Sequence, residues 1–199
     1  MLRGIAAVAI RSIVRCQYRF IFAGSVTISA CPLDFRKLVF IESGLPGISP
    51  APEQSPWHVV FQFVRDLPER LVWGNERAYL SWFFRNLTYD PTAIASEDID
   101  EYVRIYAAPG AMRVGFEYYR NWSENRQIYE EYLRGELSIL VLALGGTCAL
   151  GDVPIETMQA VAEGIQRMTV EQAGHYFAEE RPSFLSEQLL AFFEESDSS

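Results

Sequence analysis

The sequence predicts an α/β fold in which parallel strands are covered by helices and interrupted by an inserted, all-helical unit. Residues 38–41 are wholly apolar and residues 137–144 are apolar except for Ser138, which is typical of strands buried on both faces of a parallel sheet. The segment between them, residues 57–133, has helical character and is divided by proline and glycine. With 199 residues, 49% of them apolar, the chain can bury the core of one domain or of two small ones.

The charge balance narrows the class of partner. Lysine and arginine number 17 against 26 acidic residues, and the pI near 4.8 argues against nucleic acid or an anionic membrane as a partner. No run approaches the ~18 apolar residues of a membrane-spanning helix. Residues 1–37 nevertheless hold six basic residues and one acidic residue. We leave residues 1–31 as an unassigned basic leader, whose Arg-rich and acid-free composition also resembles that of a targeting segment.

The cysteines and histidines predict neither a disulfide framework nor a metal site. Cys16, Cys31 and Cys148 are odd in number and widely spaced, and a reducing, cytoplasmic compartment fits them best. The two histidines, His58 and His175, are far apart in the sequence, so no metal-ligand spacing is present. We therefore expect no cofactor and no metal.

In chain order, the first predicted strand ends at Glu42, and an irregular crossing rich in proline and glycine follows over residues 43–56. Ser96 is predicted as a helix N-cap, because Glu97 and Asp98 behind it suit a first turn. In the last helix of this segment Phe116 and Tyr119 fall on one apolar face, together with Met112 and Trp122. Helices are predicted near residues 57–64, 69–73, 75–87, 97–107 and 110–132.

Strand and helix alternate again after Gly135. The strand over 137–144 is followed by an amphipathic helix around 155–165 and by a weak strand near 168–170. A loop with His175 precedes a final helix over about 183–193, which Pro182 introduces. The predicted organisation is a core made of residues 32–56 and 134–199, with residues 57–133 as a helical lid.

His175 follows a predicted strand at its carboxyl end, where ligands bind in open α/β sheets. Placement alone is explained at least as well by a hydrogen-bonded structural histidine. The surrounding residues favour a functional role. The segment Gly174-His175-Tyr176-Phe177-Ala178-Glu179-Glu180-Arg181-Pro182, followed by an amphipathic helix, resembles the C-terminal part of α/β-hydrolases.

Segments of the lid resemble the branch of that superfamily that contains epoxide hydrolases and haloalkane or fluoroacetate dehalogenases. Residues 38–42 resemble the sixth strand of the fold and residues 140–146 the seventh, so the likeness runs in order over residues 32–193. It implies a partial α/β-hydrolase fold, with its last parallel strands and an inserted all-helical lid. The matching lid segments are Trp57-His58, Leu67-Pro68-Glu69, Tyr79-Leu80 and Phe116-Glu117-Tyr118-Tyr119-Arg120.

The resemblance implies nucleophilic chemistry in which a carboxylate opens an epoxide to an ester, and a histidine then activates water to hydrolyse that ester. His175 matches the general base and Glu42 its relay acid, because a carboxylate at that strand end can reach the histidine loop across the top of the sheet. Asp152, after the next strand, is the rival relay acid, and a solvated acid at a strand end is the alternative for Glu42. The implied chemistry needs no metal, and the implied substrate is a small apolar epoxide or a halogenated compound.

The lid supplies the predicted proton donors. Tyr119 matches the ring-opening tyrosine of the family, and Tyr118 is the fallback because a shift of one residue turns a side chain about 100° around a helix. His58 matches the second lid donor of a subset of these enzymes. The alternative is that Tyr119 and His58 belong only to an aromatic lid core with Trp57, Phe61 and Trp122.

The nucleophile of the family is not found in the sequence. It stands on a tight elbow of the form Gly-x-Asp-x-Gly or Gly-x-Ser-x-Gly, and the 13 glycines include no pair four residues apart. Neither histidine precedes glycine, so the oxyanion-hole motif is also unmatched. From this we expect a truncated or frame-shifted product. A further hypothesis is that the chain is an inactive fragment, or an interaction module that self-associates through an uncovered sheet.

Overall fold

The computed structural model describes residues 37–45, 47–48, 55–122, 126–127 and 137–194. The predictions for the basic leader and for most of the Pro-rich crossing lie outside these residues. In the described ranges, each helix is too short or too polar to reach across a lipid bilayer.

The described strands form one parallel sheet, in which β2 (Leu137–Gly146) lies between β1 (Lys37–Ile41) and β3 (Ala162–Val170). Because both faces of β2 pack against apolar side chains, its last six residues are all buried. This confirms the prediction of a strand with no solvent-exposed face. All three strands point the same way, so their carboxyl ends meet along one edge.

Helices cover both faces of the sheet. Helix α6 (Val153–Gln159) packs on one face, where Phe40, Val141 and Met158 belong to one buried cluster. Helices α7 (Phe177–Glu180) and α8 (Pro182–Glu194) pack on the other face, where Leu144, Phe177 and Phe192 are buried together. The arrangement is a partial α/β-hydrolase fold, as the sequence predicts.

Between β1 and β2 the described residues form the helical lid. Its buried cluster of Leu80, Phe84, Ile94 and Ile99 packs against Tyr176, which follows β3, so the lid is joined to the carboxyl edge of the sheet. The lid helices are α1 (Trp57–Phe63), α2 (Leu67–Val72), α3 (Glu76–Asn86), α4 (Ser96–Tyr106) and α5 (Ala111–Arg120).

Three local predictions are wrong in detail. Ser96 is the first residue of α4 rather than its N-cap, a position that Ala95 occupies, although Glu97 and Asp98 do lie in the first turn. Helix α5 ends at Arg120, where Asn121 is its C-cap, and residues 122 and 126–127 are again helical, so the single helix predicted near 110–132 is interrupted at residue 121. Asparagine favours helix ends because its amide competes for backbone hydrogen bonds.

The helix predicted over residues 155–165 is also too long. Helix α6 ends at Gln159, and β3 begins at Ala162. Within β3 the side chains at 167 and 169 are exposed and Val170 is buried, an alternation of period two, and Gly164 disfavours a helix interior. The weak strand predicted near 168–170 is therefore the end of a nine-residue strand that pairs with β2 along most of its length.

Candidate active site

Glu42 and His175 meet at the carboxyl edge of the sheet. Glu42 directly follows β1, whereas His175 lies in the histidine loop, residues 171–176, that follows β3. The Nδ1 atom of His175 lies 2.9 Å from Oε2 of Glu42. The other carboxylate oxygen of Glu42 accepts the backbone N–H of Gly146 at the end of β2, so the acid is held at both oxygens.

The environments of the two side chains differ. The Glu42 side chain is only 4% exposed, whereas that of His175 is 38% exposed. Because a carboxylate oxygen accepts, we assign the hydrogen in their bond to Nδ1, which leaves Nε2 of neutral His175 with its lone pair. The geometry can therefore orient an imidazole and stabilise its positive charge while the other ring nitrogen takes a proton.

Close backbone packing brings the histidine loop to this place. A Cβ on Gly146 would lie 2.5 Å from the carbonyl oxygen of Ala173, so only glycine lets the loop cross the end of β2. Two further bonds fix the crossing, from the N–H of Thr147 to the oxygen of Val170 and from the N–H of Cys148 to that of Ala173.

The rival relay acid, Asp152, is placed differently. It is exposed at the start of α6, and its Oδ1 accepts the hydroxyl of Thr169 at 2.8 Å. The Nδ1 atom of His175 already bonds to Glu42. The described geometry thus pairs the histidine with the acid after β1 and not with the acid after β2.

His58 lies in α1 within an aromatic cluster. Its ring centroid is 5.8 Å from those of Trp57 and Trp82 and 5.3 Å from that of Phe83. Burial lowers the pKa of His58 below its ordinary value, and the nearby charge of His175 lowers that pKa further. Among the described residues, no hydrogen-bond partner faces its buried Nδ1 atom. His58 is thus a neutral imidazole with an unused polar atom near the Glu42–His175 pair.

The two adjacent tyrosines of α5 face different ways. Tyr118 is 42% exposed, whereas burial raises the pKa of the Tyr119 phenol and Tyr106 raises that pKa further. The nearby side chain of Gln62 opposes this rise in the pKa of Tyr119. Burial raises the pKa of Tyr176, the neighbour of His175, and the phenol of Tyr119 raises that pKa further, so Tyr119 lies close enough to interact electrostatically with Tyr176.

Two further lid residues near this site were given no role from the sequence. Gln62 is only 5% exposed although it stands in an apolar helix, and its side chain lies close to the phenols of Tyr79 and Tyr119. Tyr79 is packed against Phe61, Phe83 and other lid rings, burial raises the pKa of its phenol, and its buried hydroxyl has no hydrogen-bond partner among the described residues. A lone glutamine in an apolar helix was the available signal, but only the packing of α1 against α5 brings it to these phenols.

The described residues contain no group of three or more His, Cys, Asp or Glu side chains placed to hold a metal ion. A site of the observed kind can still move protons, because it combines a histidine–carboxylate pair with phenol and imidazole donors across a lid.

Comparison with known proteins identifies the fold. No protein-family model matches the chain. The soluble epoxide hydrolase of Corynebacterium sp. (strain C12) is 31% identical over 170 residues, which cover 80% of this chain. The chain spans 59% of the length of that relative.

Solved structures agree. The crystal structure of Cfl2 from Burkholderia cenocepacia superposes with a TM-score of 0.80 at 28% identity, over 97% of this chain and 70% of that one. The epoxide hydrolase CorEH without ligand superposes with a TM-score of 0.75 at 28% identity, over 86% of this chain and 64% of that one. The chain therefore has a partial α/β-hydrolase fold and is similar to epoxide hydrolases over the part of their length that it spans.

Proposed function

We propose that the chain carries the water-activating and ring-opening half of an epoxide hydrolase active site. The observation that carries this proposal is the Nδ1–Oε2 contact of 2.9 Å between His175 and the buried carboxylate of Glu42. This contact lies at the carboxyl edge of a parallel sheet, and the lid carries two half-buried proton donors, His58 and Tyr119. A structural histidine would not need a buried carboxylate that is itself held by a backbone N–H.

In the water-activating step, Nε2 of His175 removes a proton from a water molecule, and the resulting hydroxide attacks the carbonyl carbon of an ester. The ester is the intermediate that the family resemblance implies, formed when a carboxylate attacks an epoxide carbon. Glu42 keeps Nδ1 protonated and stabilises the imidazolium that forms. The diol then leaves when the tetrahedral intermediate collapses and the alcohol oxygen takes the proton back from His175.

In the ring-opening step, the epoxide oxygen gains negative charge as its C–O bond breaks. The hydroxyl of Tyr119 donates a hydrogen bond to that oxygen, and its raised pKa keeps it a neutral donor. The ring of His58 is the second donor. Its buried Nδ1 has no partner among the described residues, so a bond to substrate would recover part of the free energy lost by burial. Tyr118, which is largely exposed, is the weaker candidate.

The aromatic side chains of α1 and α3 favour a small apolar epoxide as substrate. Trp57, Trp82 and Phe83 surround His58, so an aromatic or aliphatic substituent would lie against rings while its oxygen meets the donors. A halogenated compound was the alternative. Two of the relatives described above are named epoxide hydrolases, which favours the epoxide.

For the 199-residue chain by itself, we propose substrate binding without appreciable turnover, in a cytoplasmic setting. The sequence contains no Gly-x-Asp-x-Gly or Gly-x-Ser-x-Gly segment, and loss of a nucleophile costs orders of magnitude in rate. Exposed apolar side chains such as Trp73, 82% exposed, support self-association as an additional property. The acidic composition opposes binding to nucleic acid.

The test uses the full chain with styrene oxide as the probe, and it follows tryptophan fluorescence and diol formation. We expect a saturable fluorescence change that gives a dissociation constant for styrene oxide. This constant should rise about threefold to tenfold in Tyr119→Phe, because one hydrogen bond to the substrate is lost. The matched variant Tyr118→Phe should bind like the parent chain. Equal effects of the two variants, or no saturable change, would refute the ring-opening assignment. Diol formation above buffer that disappears in His175→Ala would refute the absence of turnover and support His175 as the base.

A further inference from the structure

Glu180, the last residue of α7, binds two separate segments of backbone. Its Oε1 accepts the N–H groups of Tyr89 at 2.6 Å and Asp90 at 3.0 Å, in the lid. Its Oε2 accepts the N–H of Gly174 at 2.8 Å, in the histidine loop. One carboxylate therefore joins the lid to the residue directly before His175.

The same two segments also touch without Glu180. The N–H of His175 bonds to the carbonyl oxygen of Leu87 at 2.6 Å. A Cβ on Gly174 would lie 2.4 Å from that oxygen and 2.5 Å from Cα of Thr88. The backbones at 87–90 and 174–175 are thus packed in direct contact. Four hydrogen bonds hold them together, one directly between the two segments and three through the carboxylate of Glu180.

Hydrogen bonds from backbone N–H groups to a carboxylate are shorter and about twice as strong as those between neutral groups. The carboxylate therefore sets the path of the chain at Gly174 more firmly than a turn would. The neighbouring His175 side chain must reach Oε2 of Glu42 from this backbone position. A shift of about 1 Å at Gly174 would lengthen that contact beyond hydrogen-bond range.

We propose that Glu180 is a positioning residue for His175, which it holds in the Nδ1–H tautomer by fixing the histidine loop against the lid. The importance of this role for catalysis rests on the proposed function of His175 as the base. The positioning itself is a property of the chain without substrate. Glu180 neither touches the His175 ring nor takes part in proton transfer.

The experiment observes the ring nitrogens of the histidines by NMR in the full-length chain at about pH 8.5, where imidazoles are neutral. The chain has two histidines, so the signals of His175 are assigned by comparison with His58→Gln. In the parent chain we expect the Nδ1–H tautomer of His175 to dominate. In Glu180→Ala the ratio of Nδ1–H to Nε2–H should fall about threefold or more, the equivalent of a weakened hydrogen bond.

The matched control is Glu179→Gln, one residue earlier, whose carboxylate accepts the hydroxyl of Tyr102 at 2.9 Å and no backbone group of the histidine loop in the described hydrogen bonds. It should leave the tautomer ratio of His175 unchanged. If Glu180→Ala fails to fold, Glu180→Gln decides, because it keeps an acceptor oxygen but loses the charge, and the ratio should fall by a smaller factor. An unchanged ratio in the folded Glu180 variants, or an equal change in Glu179→Gln, overturns the proposal.

The two proposals fail separately. A shifted tautomer ratio in Glu180→Ala, in a chain that neither binds nor converts styrene oxide, supports the positioning role and refutes the proposed function. An unchanged ratio in a chain that binds styrene oxide through Tyr119 supports the proposed function and refutes the positioning role.

Discussion

Arg120 holds the end of helix α5, directly after Tyr119, against helices α1 and α2. Its side chain is only 2% exposed. All five of its N–H groups have acceptors: the carboxylate of Glu69 twice, the carboxylate of Glu117, and the carbonyl oxygens of Gln62 and Val64. Replacing Arg120 by methionine keeps the apolar stem but leaves these acceptors without their donors.

The expected cost follows from the burial of the partners. Removing one member of a buried ion pair costs about 3–5 kcal/mol, because the other member keeps an uncompensated charge. Glu69 and Glu117 retain 18% and 31% exposure, so water can solvate them in part. We therefore expect Arg120→Met to lower the free energy of unfolding by about 2–4 kcal/mol.

The assay is urea unfolding of the full chain, followed by tryptophan fluorescence. Arg104→Met is the matched control, because Arg104 also lies in the last turn of a lid helix and pairs with a glutamate three residues earlier, yet its side chain is 69% exposed. It should leave the unfolding midpoint unchanged. The reasoning is refuted if both variants shift the midpoint equally.

The pH dependence gives a second readout of the same contact. The hydrogen bond from Arg120 holds the pKa of Glu69 below its ordinary value of 4.5. A lowered carboxyl pKa contributes stability that is complete above pH 4.5 and is lost as the pH falls through the lowered value. The difference between the parent chain and Arg120→Met should therefore be constant at neutral pH and shrink below pH 4.5.

Three further predictions concern the core and the site. Gly146→Ala should lower the free energy of unfolding in urea by about 1–3 kcal/mol, because the added Cβ would overpack against the histidine loop. The control Gly115→Ala should be neutral or stabilising in the same assay, because the atom nearest to its added Cβ is 3.9 Å away. Phe116→Ala should cost about 3–5 kcal/mol in the same assay, because Phe116 is 1% exposed and its loss leaves a cavity. An NMR titration should give His58 a pKa below 6.5, and that pKa should rise in His175→Ala. The free energy of unfolding should decrease as the pH falls below 6.5, because His58 then binds a proton in the unfolded chain before it does so in the folded one.

The strands that carry the site could be predicted because their signal is local. The run at 38–41 is apolar at every position and the run at 137–144 at every position except Ser138, and burial on both faces of a parallel sheet favours that pattern. The start of β3 could not be predicted in the same way. Ile155, Met158 and Val161 have a helical spacing that continues to Ile165, and only pairing with β2 decides that residues from Ala162 onward are extended.

The Glu42–His175 pair could be placed together from the sequence because each residue follows a parallel strand, and parallel strands end at one edge. The sequence preferred Glu42 to Asp152 through the family resemblance, but the hydrogen bond that pairs Glu42 with His175 needed coordinates, since both acids follow strands. The partners of Gln62 and Glu180 depend on how lid helices and loops pack across long separations in sequence, for which a single sequence carries no periodic signal.

Backbone strain is concentrated beside the proposed base. Among the described residues, three that are not glycine have positive φ: Glu42 at 45°, Gln172 at 51° and Asp66 at 63°. Left-handed backbone costs about 1–2 kcal/mol for such residues. Glu42 and Gln172 lie in the turns that place the relay acid and the histidine. The strain therefore falls at the turn that follows β1 and in the loop that crosses the end of β2. Such strain is typical of functional sites, where the direction of a side chain is maintained at a cost in local stability. A glycine in place of Glu42 would relax the backbone but would remove the acceptor of His175, so the turn is explained by that contact and not by the stability of the sheet.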